Sequence, residues 1–332
     1  MFTRPLCDLH IHVGASVAPH IMWAIAHSQG FKLPTKDYFE FVELITVNPK
    51  KVKSLEDYLK IMHEWTERIQ SSPSAIERSV YEIIGKEYRG SLVGRIELRF
   101  NPMKRNLGGE RDLDHIIHAA IRGMDRACLE YGVEAGLIFC LAREFDPHLN
   151  EILLEKAIRY SERGVVGIDV AGPESHTIEL DDSVARYEKL FQHAREAGLG
   201  TTIHTGETAA SGADGVIAVI DRLKPNRIGH GIRAAYSDEA LKRLADTGTL
   251  LEICPTSNLH TRAVRHLEEF RYILGALQDR KIPFSINTDG TYLCRTNLRR
   301  EYKLLIDAEI LTGADADACN EAAYNASFMA RA

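Results

Sequence analysis

The sequence contains no Cys-x-x-Cys pair; its six cysteines (Cys7, Cys128, Cys140, Cys254, Cys294 and Cys319) are scattered along 332 residues. That spacing excludes a disulfide framework and a cysteine-built zinc site. Cys7, Cys140 and Cys254 lie in apolar, strand-like runs, where a free thiol acts as a small hydrophobe. No apolar run is long enough to span a bilayer, and the opening Met1-Phe2-Thr3-Arg4-Pro5-Leu6 lacks the apolar stretch of a signal peptide. An excess of positive charge is also missing. The formal net charge of -6 argues against nucleic acid or an anionic membrane as the main partner. A cytoplasmic location is expected. Low-complexity tracts, Gly/Ser-rich linkers and fixed-period repeats are absent too, so residues 1–332 are expected to form a single domain.

What is present is alternation. Short runs rich in Val, Ile and Leu recur at Leu6–His12, Gly94–Asn101, Glu134–Arg143, Val165–Ala171, Gly200–His204, Arg227–His230, Leu250–Cys254 and Pro283–Asn287. Between them lie stretches with helical spacing: Leu113–Tyr131, Asn150–Glu162, Ser183–Ala197, Gly215–Leu223, Ser237–Asp246 and Leu267–Asp279. Eight strands alternating with helices imply parallel βαβ units. Nearly every strand ends in polar residues, and only a closed (β/α)8 TIM barrel brings all eight tips to one mouth. An open sheet would serve only the strands beside its switch point. The segment from about 19 to 87 departs from the alternation and is read as a helical insertion after the first strand, beside or over the barrel mouth.

The strand tips carry the chemistry. His10 and His12 are two apart in an extended chain and so face the same side, an arrangement that suits zinc. Alone, such a pair arises easily among 14 histidines. His204 ends the fifth run in His204-Thr205-Gly206-Glu207, and the glycine lets the chain turn Glu207 back over the same mouth as a proton donor or acceptor. The plainer reading of Glu207 is an exposed loop acid. His230 lies between two glycines, which permit close approach of backbone and ligand. Asp289 opens the eighth tip as a metal ligand, a base or a helix N-cap. At the fourth, the bare backbone of Gly172 can meet a flat ring.

Together these residues resemble the adenosine deaminase family of the amidohydrolase superfamily. The resemblance runs through H-x-H at His10 and His12, D-x-A-G-x-E from Asp169 to Glu174, and H-x-G-E from His204 to Glu207. It continues through R-I-G-H-G at Arg227 to Gly231, C-P-x-S-N at Cys254 to Asn258, and N-T-D at Asn287 to Asp289. It implies that His10, His12, His204 and Asp289 hold one zinc ion. It further implies that Glu207 protonates the ring nitrogen beside the attacked carbon, that His230 and Asp289 orient the attacking water, and that Gly172 contacts a purine. Such a metal brings the pKa of water to roughly 7, while the ring proton offsets the cost of breaking aromaticity.

Two positions depart from the family. Where it usually has a second acid after N-T-D, reaching the far ring nitrogen, this sequence has Gly290; where it tends to carry an acid for the sugar 5′-hydroxyl, it has Gly14. Gly290 therefore joins Gly172 as an expected substrate-side position. The expected substrate is adenosine or a related 6-aminopurine nucleoside, and the departures add as candidates those with a bulky 5′ substituent near Gly14, such as a 5′-modified adenosine or aminodeoxyfutalosine. Two other readings compete. One is a different mononuclear amidohydrolase acting on another aminated heterocycle, a cyclic amide or an ester. The other is an inactive binding protein. The bridging lysine of two-metal relatives is missing from Val165-Val166-Gly167-Ile168-Asp169-Val170, which favours one metal.

Overall fold

Parallel pairing governs the whole architecture. In the computed structural model, which describes residues 2–331, the strands are β1 (Leu6–His12), β2 (Val93–Phe100), β3 (Glu134–Ala142), β4 (Val165–Ala171), β5 (Gly200–Thr201), β6 (His204–Thr205), β7 (Arg227–His230), β8 (Leu250–Ile253) and β9 (Phe284–Ile286). Met1 and Ala332 of the expected 1–332 unit lie outside the described residues. The order is β1-β2-β3-β4-β5 in one sheet and β6-β7-β8-β9 in the other, every neighbouring pair parallel. The two sheets are one barrel. β5 and β6 are halves of the fifth strand, which pairs with β4 at its start and with β7 at its end. Backbone bonds from Asp289 N to His10 O and from His12 N to Asp289 O, both 2.7 Å, close the ring.

The apolar strand runs were legible because both faces of a parallel barrel strand are buried. Leu9, Ile11, Leu98, Leu137, Phe139, Ile168, Ile228, Leu251 and Ile286 are all fully buried. Helix edges moved by one to three residues where caps decide them. The helix expected at Asn150–Glu162 spans Pro147–Arg159, because the Asp146 side chain accepts from His148 N at 2.9 Å and Pro147 suits the first turn. Asn150 is then buried, bonded to both the N and the O of Ala142 at 2.9 Å, and ties this helix to β3. Two C-terminal helices, Leu298–Asp307 and Gly313–Ala326, were not anticipated; the second starts with a Thr312/Asp315 capping box.

The insertion is helical, as expected. Its last helix, Pro73–Ser91, belongs to the outer ring and packs on Leu113–Tyr131, where a Cβ on Gly123 would lie 2.3 Å from Glu77 O. The preceding part roofs the barrel mouth. Helix Leu55–Ile61 continues into a wide π-helical turn at Met62–Thr66, a local widening frequent at functional sites. The roof stands on a small apolar cluster of its own, with Ala15, Leu55, Tyr58, Met62, Leu293 and Cys294 in contact. Among the described residues, no helix is long and apolar enough to cross a membrane.

Candidate active site

Four imidazoles converge at the C-terminal mouth of the barrel. His10 and His12 leave β1 on one side, His204 opens β6, and His230 ends β7. His12 Nε2 lies 3.1 Å from His204 Nε2, while Asp289 Oδ1 stands 3.5 Å from His12 Nε2 and 3.7 Å from His10 Nε2. Asp289 reaches that place because its backbone is bonded to both β1 histidines. It is no helix N-cap: its Oδ2 accepts from Ser257 Oγ. His230 and Asp289 adopt φ of 61° and 60°, left-handed backbone that costs about 1–3 kcal/mol per residue and gathers at functional sites. Gly229 makes room, since a Cβ there would meet His10 Cε1 at 3.1 Å and His204 Cγ at 3.3 Å.

The donor set fits a divalent metal. His10 Nε2 is buried without a hydrogen-bond partner, a state that normally costs about 1–3 kcal/mol. His10 and His12 are held neutral, well below the usual imidazole range, by burial first and then by each other's neighbours His204 and Arg99; a ligating imidazole must be neutral. Their other nitrogens are fixed from below. His10 Nδ1 faces Glu252 Oε2 at 2.8 Å, and His204 Nδ1 faces Asp169 Oδ1 at 3.1 Å. Such partners choose the tautomer and aim the free lone pair.

Glu252 and Asp169 belong to a column of buried charge inside the barrel. Glu97 pairs with Arg227 at 2.6 Å, Arg227 with Glu252 at 2.7 Å, Glu252 with Arg99 at 2.9 Å, and Arg99 with Asp169 at 3.1 Å. Three carboxylates against two guanidiniums leave one negative charge, and Asp289 adds a second. A divalent cation held among the imidazoles would neutralise that charge. Although burial opposes it, His204 and Arg99 hold the Asp169 carboxyl far below its ordinary value. Sequence reading gave no role to Arg99, Arg227 or Glu252. The signal was available: a charged residue inside an apolar run such as Leu250-Leu251-Glu252-Ile253 must find a partner.

Glu207 is the other acid at the mouth, and it is buried rather than an exposed loop residue. Gly206 turns the chain with φ of +66°, and Glu174 latches the turn by accepting from Glu207 N at 2.9 Å and Thr208 N at 2.6 Å. Glu207 Oε1 accepts from Thr261 Oγ1 at 2.8 Å and Asn258 Nδ2 at 3.3 Å, and Oε2 lies 3.5 Å from His230 Nε2. Burial, then Glu174 and Asp289, pushes the Glu207 carboxyl well above its ordinary value, which favours its protonated form. His230 is pushed down to about 3, first by burial and next by His204, and stays a neutral imidazole. A protonated carboxyl beside an unprotonated imidazole is an acid and a base in one chamber.

Glu207, His230, His12, His204 and Asp289 all line that chamber, with Gly172 on one wall and Tyr58, Leu59 and Met62 of the insertion above. Gly172 has φ of +119° and lines the chamber, but a Cβ there would strike Glu144 Oε2 at 2.6 Å, so the Glu144 side chain lies across the face expected to be bare. Gly290 sits differently. Its side-chain direction is filled by Ala15 Cβ at 2.5 Å and Tyr58 Oη at 2.7 Å, and Tyr58 lines the chamber in its place. Beside Gly14 a Cβ would meet Arg105 Nη2 and Met62 Cε, both at 3.2 Å, and Gly14 lines a second cavity next to the chamber.

A closed parallel barrel with imidazoles and a carboxylate gathered at its C-terminal mouth suits a metal-dependent hydrolase. The family model described as Adenosine deaminase matches residues 5–332. An adenosine deaminase from Vibrio vulnificus is 30% identical over 314 residues, covering 95% of this chain and 91% of its own. Among solved structures, an adenine deaminase from Arthrobacter aurescens aligns with TM-score 0.85 at 20% identity, covering 98% of this chain and 94% of that one. An amidohydrolase from Burkholderia ambifaria with bound zinc aligns with TM-score 0.82 at 22% identity, covering 98% and 86%. The chain belongs to the adenosine deaminase family and is a hydrolytic deaminase.

Proposed function

We propose that this enzyme removes the 6-amino group of adenosine or a related 5′-modified purine nucleoside, releasing ammonia, with one zinc ion held by His10, His12, His204 and Asp289. The observation that carries the reading is Glu207 Oε2 standing 3.5 Å from His230 Nε2 beside that donor set, with the carboxyl raised and the imidazole lowered from their ordinary values. Both the adenosine deaminase and the adenine deaminase to which the chain is similar act on an aminated purine by name.

When bound, zinc supplies hydroxide at neutral pH by acidifying water. The remaining work falls to the chain's own residues. Glu207 gives its proton to the ring nitrogen next to the amine-bearing carbon, so that no negative charge builds on the ring as oxygen adds. His230 orients the attacking water and takes up a proton, with Asn258 Nδ2 at 3.0 Å from its Nδ1 to hold the ring in place. Asp289 shares that positioning. One proton then passes from His230 to the amine, the C–N bond breaks, ammonia leaves, the ring nitrogen keeps its proton, and the proton of the added hydroxyl restores Glu207. The sum is amine plus water giving carbonyl plus ammonia. The Gly172 backbone supports the purine, and Tyr58 walls the side where the family's second acid would stand.

The test is a panel of 6-aminopurine bases and nucleosides assayed for ammonia release, with zinc counted per chain. Release from at least one nucleoside at one zinc per chain is expected. Release from none of them, or activity indifferent to metal, would overturn the reading.

A further inference from the structure

A second cavity adjoins the reactive chamber and shares His12, Leu59, Met62 and Gly172 with it. One part of its otherwise largely apolar wall carries donors. Arg99, Asn101, Lys104 and Arg105 line it, and three of their buried nitrogens, Arg99 Nε, Asn101 Nδ2 and Arg105 Nε, have no hydrogen-bond partner. No buried acceptor on its lining residues is left unpaired in the same way, among the described residues. Buried donors are normally satisfied, so the missing group is one rich in acceptors.

From this we propose that the second cavity holds an oxyanion, a carboxylate or a phosphate, carried on the arm of the substrate that points away from the reacting amine, with Lys104, Arg105 and Asn101 as its partners. The assignment rests on reading the reactive chamber as a purine deaminase site. Gly14 belongs to the device: with no side chain there, the Arg105 guanidinium stands 3.2 Å from the place a Cβ would occupy. An acid at that position would have bound Arg105 itself.

Two carboxylates already face these cations, and they differ in freedom. Glu67 is buried and ion-paired to Arg105 at 3.0 Å. Glu144 is 2.6 Å from the Lys104 ammonium, but its side chain is 27% exposed and it lies across the bare face of Gly172. A purine seated on Gly172 displaces Glu144 towards water and frees Lys104, whose remaining neighbour is His63 Nε2 at 3.2 Å. The incoming oxyanion replaces Glu144 on Lys104. A planar guanidinium and an ammonium together suit either oxyanion.

The experiment compares four 6-aminopurine nucleosides on the zinc-loaded enzyme: adenosine, 5′-deoxyadenosine, adenosine 5′-carboxylate and adenosine 5′-phosphate. Binding of the same four to Glu207→Gln is measured by calorimetry. At least one oxyanion should exceed 5′-deoxyadenosine tenfold or more in kcat/KM, through KM, and by a similar factor in Kd. Which of the two does so identifies carboxylate or phosphate. Lys104→Gln should shrink that preference about tenfold, and Glu144→Gln should enlarge it. No oxyanion preference in Kd, or a preference that Lys104→Gln leaves intact, would overturn the proposal. Oxyanion-selective binding without ammonia release from any compound would instead overturn the purine deamination reading alone.

Discussion

Replacing Glu252 by Gln removes one charge from the middle of the barrel while keeping its shape. Glu252 faces His10 Nδ1 at 2.8 Å, Arg99 Nη2 at 2.9 Å and Arg227 Nε at 2.7 Å, and it is fully buried. Breaking a buried ion pair from one side costs about 3–5 kcal/mol. Gln keeps one acceptor oxygen but turns an amide towards a cation, which places the cost at about 3 kcal/mol. Against a total stability of about 5–15 kcal/mol the protein still folds. With an unfolding entropy of about 2.1 cal/mol/K per residue, a chain of 332 residues loses about 4 °C of Tm. The second effect is on metal. With one acceptor oxygen left to serve His10 and two guanidiniums, the His10 tautomer is held less firmly, and weakening such a partner typically lowers affinity by up to about 10–100-fold. Thermal melts followed by circular dichroism, with zinc affinity from chelator competition, read both quantities. A Tm within about a degree of the parent together with unchanged zinc affinity would refute the reasoning, because neither the column nor its hold on His10 would matter.

Glu207→Gln cannot donate the ring proton and should lose about 10²–10⁴ in kcat with zinc content unchanged; an unaffected rate removes Glu207 from the mechanism. The pH dependence has a definite sign. Burial and neighbouring acids raise the Glu207 carboxyl, the protonated form is the donor, and kcat/KM therefore declines as pH rises through that raised value; a limb that climbs instead contradicts the assignment. Gly290→Asp forces a side chain into Ala15 Cβ at 2.5 Å and Tyr58 Oη at 2.7 Å. Overpacking of this kind costs about 1–3 kcal/mol, so its Tm should drop by several degrees, and adding Ala15→Gly should recover part of the loss. Finally, metal-depleted protein should melt lower and regain stability with added zinc, by about 2.7 kcal/mol at a hundredfold excess over Kd; a zinc-independent Tm is the opposing result.

The strand tips were readable because their apolar runs are buried on both faces and then stop abruptly at polar residues. Once a closed barrel is inferred, His10, His12, His204, His230 and Asp289 have to converge. The break between β5 and β6 was not readable, since it follows from which neighbour each half of one strand pairs with. Arg99, Arg227 and Glu252 passed as strand residues because their significance lies in each other, across the barrel, and not in local spacing. The roof was harder still. Tyr58 enters the chamber through the docking of an irregular insertion, and no periodicity announces it. The expectation for Gly290 was drawn from what the position lacks, whereas the packed structure assigns that wall to a tyrosine some 230 residues earlier in the chain. At Gly14, likewise, the sequence shows only what is missing, whereas the structure sets the Arg105 guanidinium beside a cavity that both residues line.

The most direct measurement is anomalous diffraction at the zinc edge from crystals of the zinc-loaded protein. A single peak about 2.0–2.2 Å from nitrogens of His10, His12 and His204 and an oxygen of Asp289 is the predicted result. A peak bound by other residues, or none at the barrel mouth, would contradict it.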